Sequence, residues 1–273
     1  MEPTKEQVEK LKIIELEIFK QFISVCEKLN LKYYLLGGTL LGAVRHQGFI
    51  PWDDDIDVGM PREDYEIFIR EAQQYFPEEY FVQTNQTDDI PINFCKIRRN
   101  DTTFWESSVK DLKINHGVFM DVFPLDYHPD GKIAAKIFNI RNTLLTMRIS
   151  EVFTIEKEKL AFWKRLIMKF TTPNSVCKAV RKRDQLLKSN KGKKKVSNYC
   201  GAWGDKEIVP IEWFGEGVEL EFEGIKARAP EGYHLWLTQV YGDYMQLPPE
   251  EKRVGHHYTE VIDVEKSYRE YIK

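Results

Sequence analysis

Cysteine is scarce in this chain and unpatterned. Cys26, Cys95, Cys177 and Cys200 are the only four in 273 residues, and no two stand as C-x-x-C. That spacing excludes the common thiolate zinc sites, and thiols so dispersed are expected to stay reduced, in the cytoplasm. No run of about 18 uncharged apolar residues occurs, so nothing reads as a membrane span. The opening "MEPTKEQVEKLK" carries charges with no apolar stretch behind them and does not read as a signal peptide. Internal repeats are absent. The net charge is only −3, and no nucleic-acid partner is expected.

The composition, 42% hydrophobic and 30% charged, is that of a globular chain able to bury a sizeable core. Its charge is uneven. Residues 151–195 hold 14 Lys+Arg against 4 Asp+Glu, an excess of +10 that leaves −13 for the remainder. Such asymmetry points to a face for an anionic partner, either a membrane surface or a lipid-linked acceptor.

Thr4-x-x-Gln7 is a capping box ahead of apolar residues at helical spacing, which predicts a helix to about Leu29. A short strand over "KYYLLGG", a helix over "TLLGAVRH" capped by Thr39, a strand over "DIDVGM" and a helix over "REDYEIFIREAQQYF" follow. Four more strands are expected, the last over "GVFMDVFPL". Helices then run from about Lys132 to Lys188 with a break near Pro173. "KSNKGKKKV" reads as a basic linker, "IEWFGEGVELEFEGIKARAP" as strand–turn–strand, and "EGYHLWLTQVYG" as a final helix before a Pro-rich tail. The pattern predicts an α+β fold with a mixed sheet flanked by helices, plus a mainly helical region. The expected divisions are 1–130 as catalytic core, 131–195 as basic helical region, and 196–273 packing back on the core.

The chemistry concentrates between Leu35 and Pro61. Asp53, Asp54, Asp55 and Asp57 fall within five residues. On a strand, Asp55 and Asp57 project from one face, and Asp53 extends the row if the strand begins that early. Carboxylates side by side raise one another's pKa unless a cation lies between them, and hard oxygen ligands suit Mg²⁺ or Mn²⁺. Upstream, Gly37 and Gly38 allow close backbone approach to a ligand. Thr39 and the amides opening the next helix can hold a phosphate, and Arg45 can add a charged fork. Asp121 is a lone acid in an apolar run and needs a cation partner or neutrality. It is expected to serve as metal ligand or base, whereas Asp126, past Pro124, reads as an exposed turn residue.

Gly37-Gly38-Thr39, then Asp55-x-Asp57, then a strand-borne Asp121 resembles the nucleotidyltransferase fold of the DNA polymerase β superfamily. The longer blocks "YYLLGGTLLGAVRHQGFIPWDDDIDVGMPREDYEIF", "GVFMDVFPLD" and "LTQVYGDYMQLPPEEKR" resemble the LicD family of phosphocholine transferases, which is related to fukutin. The resemblance covers most of the chain, with a gap over the basic helical region. It implies Mg²⁺-dependent transfer of a substituted phosphate from a CDP-alcohol to a hydroxyl of a glycan or lipid-linked glycan, with CMP leaving. CDP-choline is the typical bacterial donor and CDP-ribitol the fukutin-related one. Asp53, Asp55 and Asp57 correspond by position to the family's acidic motif, and Asp121 to its further carboxylate. A choline headgroup is held by aromatic faces. Trp52, Trp105, Trp203, Tyr241 and Tyr244 are candidates, and Arg253, His256 and His257 could fold over the donor. The alternatives are a nucleotidyltransferase moving NMP from an NTP, and a non-catalytic glycan-binding module on the same fold.

Overall fold

The computed structural model of the chain describes residues 4–153, 172–190, 192, 194–253, 255 and 258–272. Helix α1 (Lys5–Leu29) begins as expected, with both halves of the Thr4–Gln7 capping box formed. It buries Leu11, Ile18, Phe19, Phe22 and Val25, one stripe at 3.6-residue spacing, and Asn30 ends it in the left-handed conformation.

Strand β1 (Tyr34–Leu35), helix α2 (Gly37–His46), strand β2 (Asp57–Pro61) and helix α3 (Arg62–Glu71) follow. Strands β3 (Tyr80–Gln83), β4 (Cys95–Arg99), β5 (Thr103–Glu106) and β6 (Val118–His128) come next. The central sheet runs β1–β2–β6–β4–β3, with β6 also pairing β7 (Lys195–Ser197) and β7 pairing β8 (Val209–Pro210). The β2–β6 pair is parallel and the others antiparallel. This is the α+β fold with a mixed sheet that the pattern predicts. Strand β6 is central, and nine of its residues in a row are buried, the signature of a strand covered on both faces.

Two expectations about β6 fail together. The strand runs on past Leu125 to His128, and Asp126 is 1% exposed rather than a turn residue. The Asp121 amide donates to Ile56 O on the β2 side, so by alternation residue 124 faces the other way. There β4 has already stopped, at the Cys95–Val122 pair, and the missing proline N–H breaks no ladder bond. Asp126 is buried because Arg62, the first residue of α3, grips both its oxygens at 2.6 Å.

Helix α4 (Lys132–Phe153) packs on α5 (Pro173–Lys188) through Ile149, Val176, Ala179 and Val180. Pro173 opens α5 behind a Thr172 cap. The basic run splits: Arg183 is buried and Lys188 pairs with Glu66 and Asp184, while Lys178, Arg181 and Lys182 are exposed. Lys191 and Lys193 lie outside the described residues. The opposite face of α4 exposes Ile133 (78%), Ile137 (54%), Ile140 (52%) and Leu144 (60%). The hairpin β9 (Val218–Phe222) and β10 (Ile225–Ala229) and the helix α6 (Tyr233–Tyr241) form as expected. Strand β11 (Thr259–Asp263), in the stretch expected to be a tail, pairs with β5.

Candidate active site

Strand β2 begins at Asp57, two residues later than the alternation predicts, so Asp53 to Asp55 precede it. The row still converges. Asp53, Asp55, Asp57 and Asp121 all line one cavity of about 810 Å³. The parallel register places Asp57 directly beside Asp121. Asp53, Asp54 and Asp55 each offer a carboxylate oxygen, and these lie within 4.8 Å of one another.

The start of α2 fixes this arrangement. The helix opens at Gly37, with Leu36 as its cap, so Thr39 sits inside the first turn rather than at the cap. The Thr39 hydroxyl is buried and accepts from the Asp57 amide at 2.8 Å, while the Asp57 carbonyl accepts from Leu36 N at 3.0 Å. Both backbone groups of Asp57 are thereby held. The two glycines make room for carboxylates. A Cβ on Gly38 would stand 2.2 Å from an Asp53 oxygen, and one on Gly37, whose φ is +53°, 3.0 Å from an Asp57 oxygen.

Burial, then Asp55, Asp121 and Asp53, push the Asp57 carboxyl well above its usual range. Burial also raises Asp121, against the pull of Lys96. Lys96 of β4 faces Asp121 across the sheet, ion-pairs with it at 3.0 Å and lies 3.3 Å from the Phe119 ring centre. Behind the row, on α1, burial raises Glu15 further, with Asp55, Asp54 and Asp53 adding to the effect. Four acids around one cavity repel unless a cation is bound, and their hard oxygens fit a divalent ion such as Mg²⁺ or Mn²⁺. Asp53, Asp55, Asp57 and Asp121 would hold it.

Around the carboxylates the cavity wall becomes aromatic and basic. Arg45, in the last turn of α2, donates to Tyr244 O at 3.0 Å. The Arg45 and Arg253 guanidinium groups lie 6.0 and 5.5 Å from the Trp52 ring centre, so that ring already attracts cations. Trp52, Trp203, Tyr241 and Tyr244 line the cavity. Burial, with Asp57 and Asp53 nearby, raises the Tyr241 phenol, which stays a proton donor. Trp105 is elsewhere: it stacks on His116 at 4.2 Å, away from this cavity. Arg253 reaches Trp52 without lining the cavity, and His256 and His257 lie outside the described residues.

Sequence reasoning missed Lys96, Asp54 as a third member of the oxygen cluster, and Glu207. Lys96 left one trace, a lone lysine within "INFCKIRR". Glu207 lines the cavity and accepts from Trp203 N at 3.1 Å, a bond within the 198–207 loop. Burial raises its carboxyl to about 7. A folded-state pKa above the unfolded one makes this stability contribution complete below about pH 4.5. It is lost as pH climbs through about 7. Glu207→Gln is therefore expected to stabilise the metal-free protein at pH 8 by roughly 1–3 kcal/mol and to change little at pH 4.5. Urea unfolding at both pH values checks this, and equal effects at the two would refute it.

Residues 30–162 match the LicD/FKTN/FKRP nucleotidyltransferase domain. The chain is 32% identical over 276 aligned residues to the lipopolysaccharide cholinephosphotransferase LicD of Haemophilus influenzae, covering 91% of this chain and 95% of that protein. The human ribitol 5-phosphate transferase FKRP is 46% identical over 48 residues, 18% of this chain and 10% of that one. An uncharacterized Rickettsia prowazekii protein is 41% identical over 80 residues, 29% of each. Near-complete alignment to a full-length relative, with the acidic row gathered in one cavity, establishes that this chain belongs to the LicD family.

Proposed function

We propose that the chain transfers phosphocholine, or a similar phospho-alcohol, from a CDP-linked donor to a hydroxyl of a cell-surface glycan precursor, releasing CMP. Its kinship makes it a phosphotransferase. The observation that carries the finer reading is the placement of Asp57 beside Asp121 with Asp53 and Asp55 in the same cavity. A divalent ion, Mg²⁺ or Mn²⁺, would supply charge neutralisation on the donor's pyrophosphate when bound there. The chain's own residues do the positioning. The α2 N-terminus with Gly37 and Gly38 brings backbone amides to the donor phosphates, and Arg45 adds a cation. Trp52, Tyr241 and Tyr244 offer ring faces to a quaternary ammonium or a base. Asp121, as base or ligand, faces the acceptor hydroxyl, whose oxygen bonds phosphorus as the bond to CMP breaks.

The test is product analysis. CDP-choline, CDP-ribitol, CDP-glycerol and the NTPs are each supplied with a glycan acceptor, with Mg²⁺ or with EDTA. CMP with a phosphorylated glycan supports the reading. Pyrophosphate from an NTP would mean a nucleotidyltransferase, and neither product would mean a binding module.

The acceptor side is read as a lipid-linked glycan at the cytoplasmic face of the inner membrane. No described helix is long and apolar enough to cross a membrane. The exposed stripe of α4, flanked by exposed Lys136, Arg141 and Arg148, instead has the make-up of a helix lying on an anionic lipid surface. Its positive flanks choose that occupant over a second copy of the chain. Pelleting with vesicles rich in phosphatidylglycerol is expected, weakening as salt rises, and Ile137→Glu with Leu144→Glu should cut it about tenfold. A dimer that dissociates in the same variant, without pelleting of the wild type, would overturn the membrane reading.

A further inference from the structure

A second cavity, of about 300 Å³, adjoins the first. The 90–94 loop forms one wall, and Thr146, Ile149 and Ser150 of α4 form another. Phe94, Cys200 and Gly201 line both cavities. Lys96 couples them chemically. It lines the second cavity, and its ammonium pairs with Asp121, which lines the first, at 3.0 Å. On the same side it lies 3.8 Å from Glu106, another residue of the second cavity.

We propose that this second cavity is the acceptor subsite, holding a neutral sugar ring of the glycan with the hydroxyl to be modified directed past Phe94 toward Asp121. The proposal rests on reading the chain as a phospho-alcohol transferase, and one mechanistic requirement and three observations support it. An in-line displacement brings the nucleophile in opposite the leaving group, so the acceptor needs an approach separate from the donor's. Arg45 and Trp52 line only the first cavity, whereas the second meets it beside Asp121 and Lys96.

The wall chemistry also selects a neutral polyol over an anion. Both cations in the wall are engaged. Lys96 pairs with Asp121 and Glu106, and Arg183 donates to Asn142, Asn93 and the Tyr199 carbonyl. Lys96 is thus neutralised by two carboxylates, and the donors of Arg183 are largely taken by neutral oxygens, which leaves an incoming phosphate few free donors. The cavity offers instead the Phe94 ring for the C–H face of a sugar, with the Thr146 and Ser150 hydroxyls at the rim for its oxygens. Access is open as well: Thr146 and Ser150, one turn apart on α4, are exposed at the rim.

The rim positions make the test. Thr146→Trp and Ser150→Trp place bulk over the mouth at exposed sites where substitutions are well tolerated. Saturation-transfer NMR is run on the full chain with methyl glycosides of hexoses and N-acetylhexosamines as probes, and a thermal-shift assay with CDP-choline and Mg²⁺ reads the donor side. Circular dichroism confirms the fold of each variant. The wild type is expected to transfer saturation to ring protons of at least one glycoside. Each tryptophan variant should weaken that binding about tenfold while the CDP-choline shift stays at the wild-type value. No glycoside signal in the wild type, or a signal unchanged in both variants, overturns the acceptor subsite. Failure of every CDP-alcohol to yield CMP, with glycoside binding responding as expected, would count against the donor reading and leave a sugar-binding cavity.

Discussion

Asp57→Asn is expected to lower turnover by about 10²- to 10⁴-fold, the scale of removing a group that acts on charge in the transition state. The fold should survive. Asp57 is held by its backbone, through Thr39 and Leu36, and not by its carboxylate. The sign of the stability effect follows from the raised carboxyl. A folded-state pKa above the unfolded one means that the wild type loses stability as pH rises through that value, and asparagine does not. The metal-free variant should thus match or exceed the wild type at pH 8, with the gap closing near pH 4. Mg²⁺ should raise the wild-type melting temperature, by up to ~2.7 kcal/mol of stabilisation at 100 times its Kd, and leave the variant unmoved. Near-wild-type activity at saturating Mg²⁺ would remove Asp57 from the metal set.

Asp126→Ala should destabilise the fold strongly, at a position with no catalytic duty. It strands the Arg62 guanidinium, which is buried and bound at 2.6 Å through two nitrogens. Burial opposes the charge on both partners, and the bidentate geometry keeps them ionised. Removing one partner of such a pair costs about 3–5 kcal/mol. Arg62 retains Glu66 at 3.0 Å and Asp184 at 3.8 Å, so the lower end is expected. Arg62→Met with Asp126→Leu, which leaves no charge behind, should recover most of the loss. Urea unfolding of the three variants measures it, and a loss below about 1 kcal/mol for Asp126→Ala would mean the pair is effectively solvated.

Much of the candidate site was legible because its signals are local. The acidic row, the paired glycines and the lone Asp121 each stand out against their neighbours in the chain. Two-residue alternation led to the expectation that Asp55 and Asp57 converge; they do share the cavity, but Asp55 reaches it from the segment before the strand. What escaped depends on partners brought from afar. Asp126 reads as a turn residue until α3 supplies Arg62. Lys96 reads as one lysine among several until antiparallel pairing sets it opposite Asp121. Thr39 reads as a helix cap, whereas its hydroxyl serves the neighbouring strand. Trp105 was as plausible an aromatic as Trp52, and only the sheet separates them. The strand β11 hid in a polar tail because its partner, β5 (Thr103–Glu106), lies far back in the sequence.

The side-by-side register of β2 and β6 also has a kinetic consequence. Asp57 and Asp121 are distant in sequence, and parallel strands close only after a long crossover has been threaded between them. Loop-closure entropy makes such contacts slow to form. The Asp57–Asp121 side of the ion-binding geometry therefore cannot assemble in a fragment that lacks either strand, and a refolding chain acquires it only when that crossover closes. Divalent-ion binding followed in stopped-flow refolding would time that closure directly, and ion added at the start should slow unfolding much more than it speeds folding.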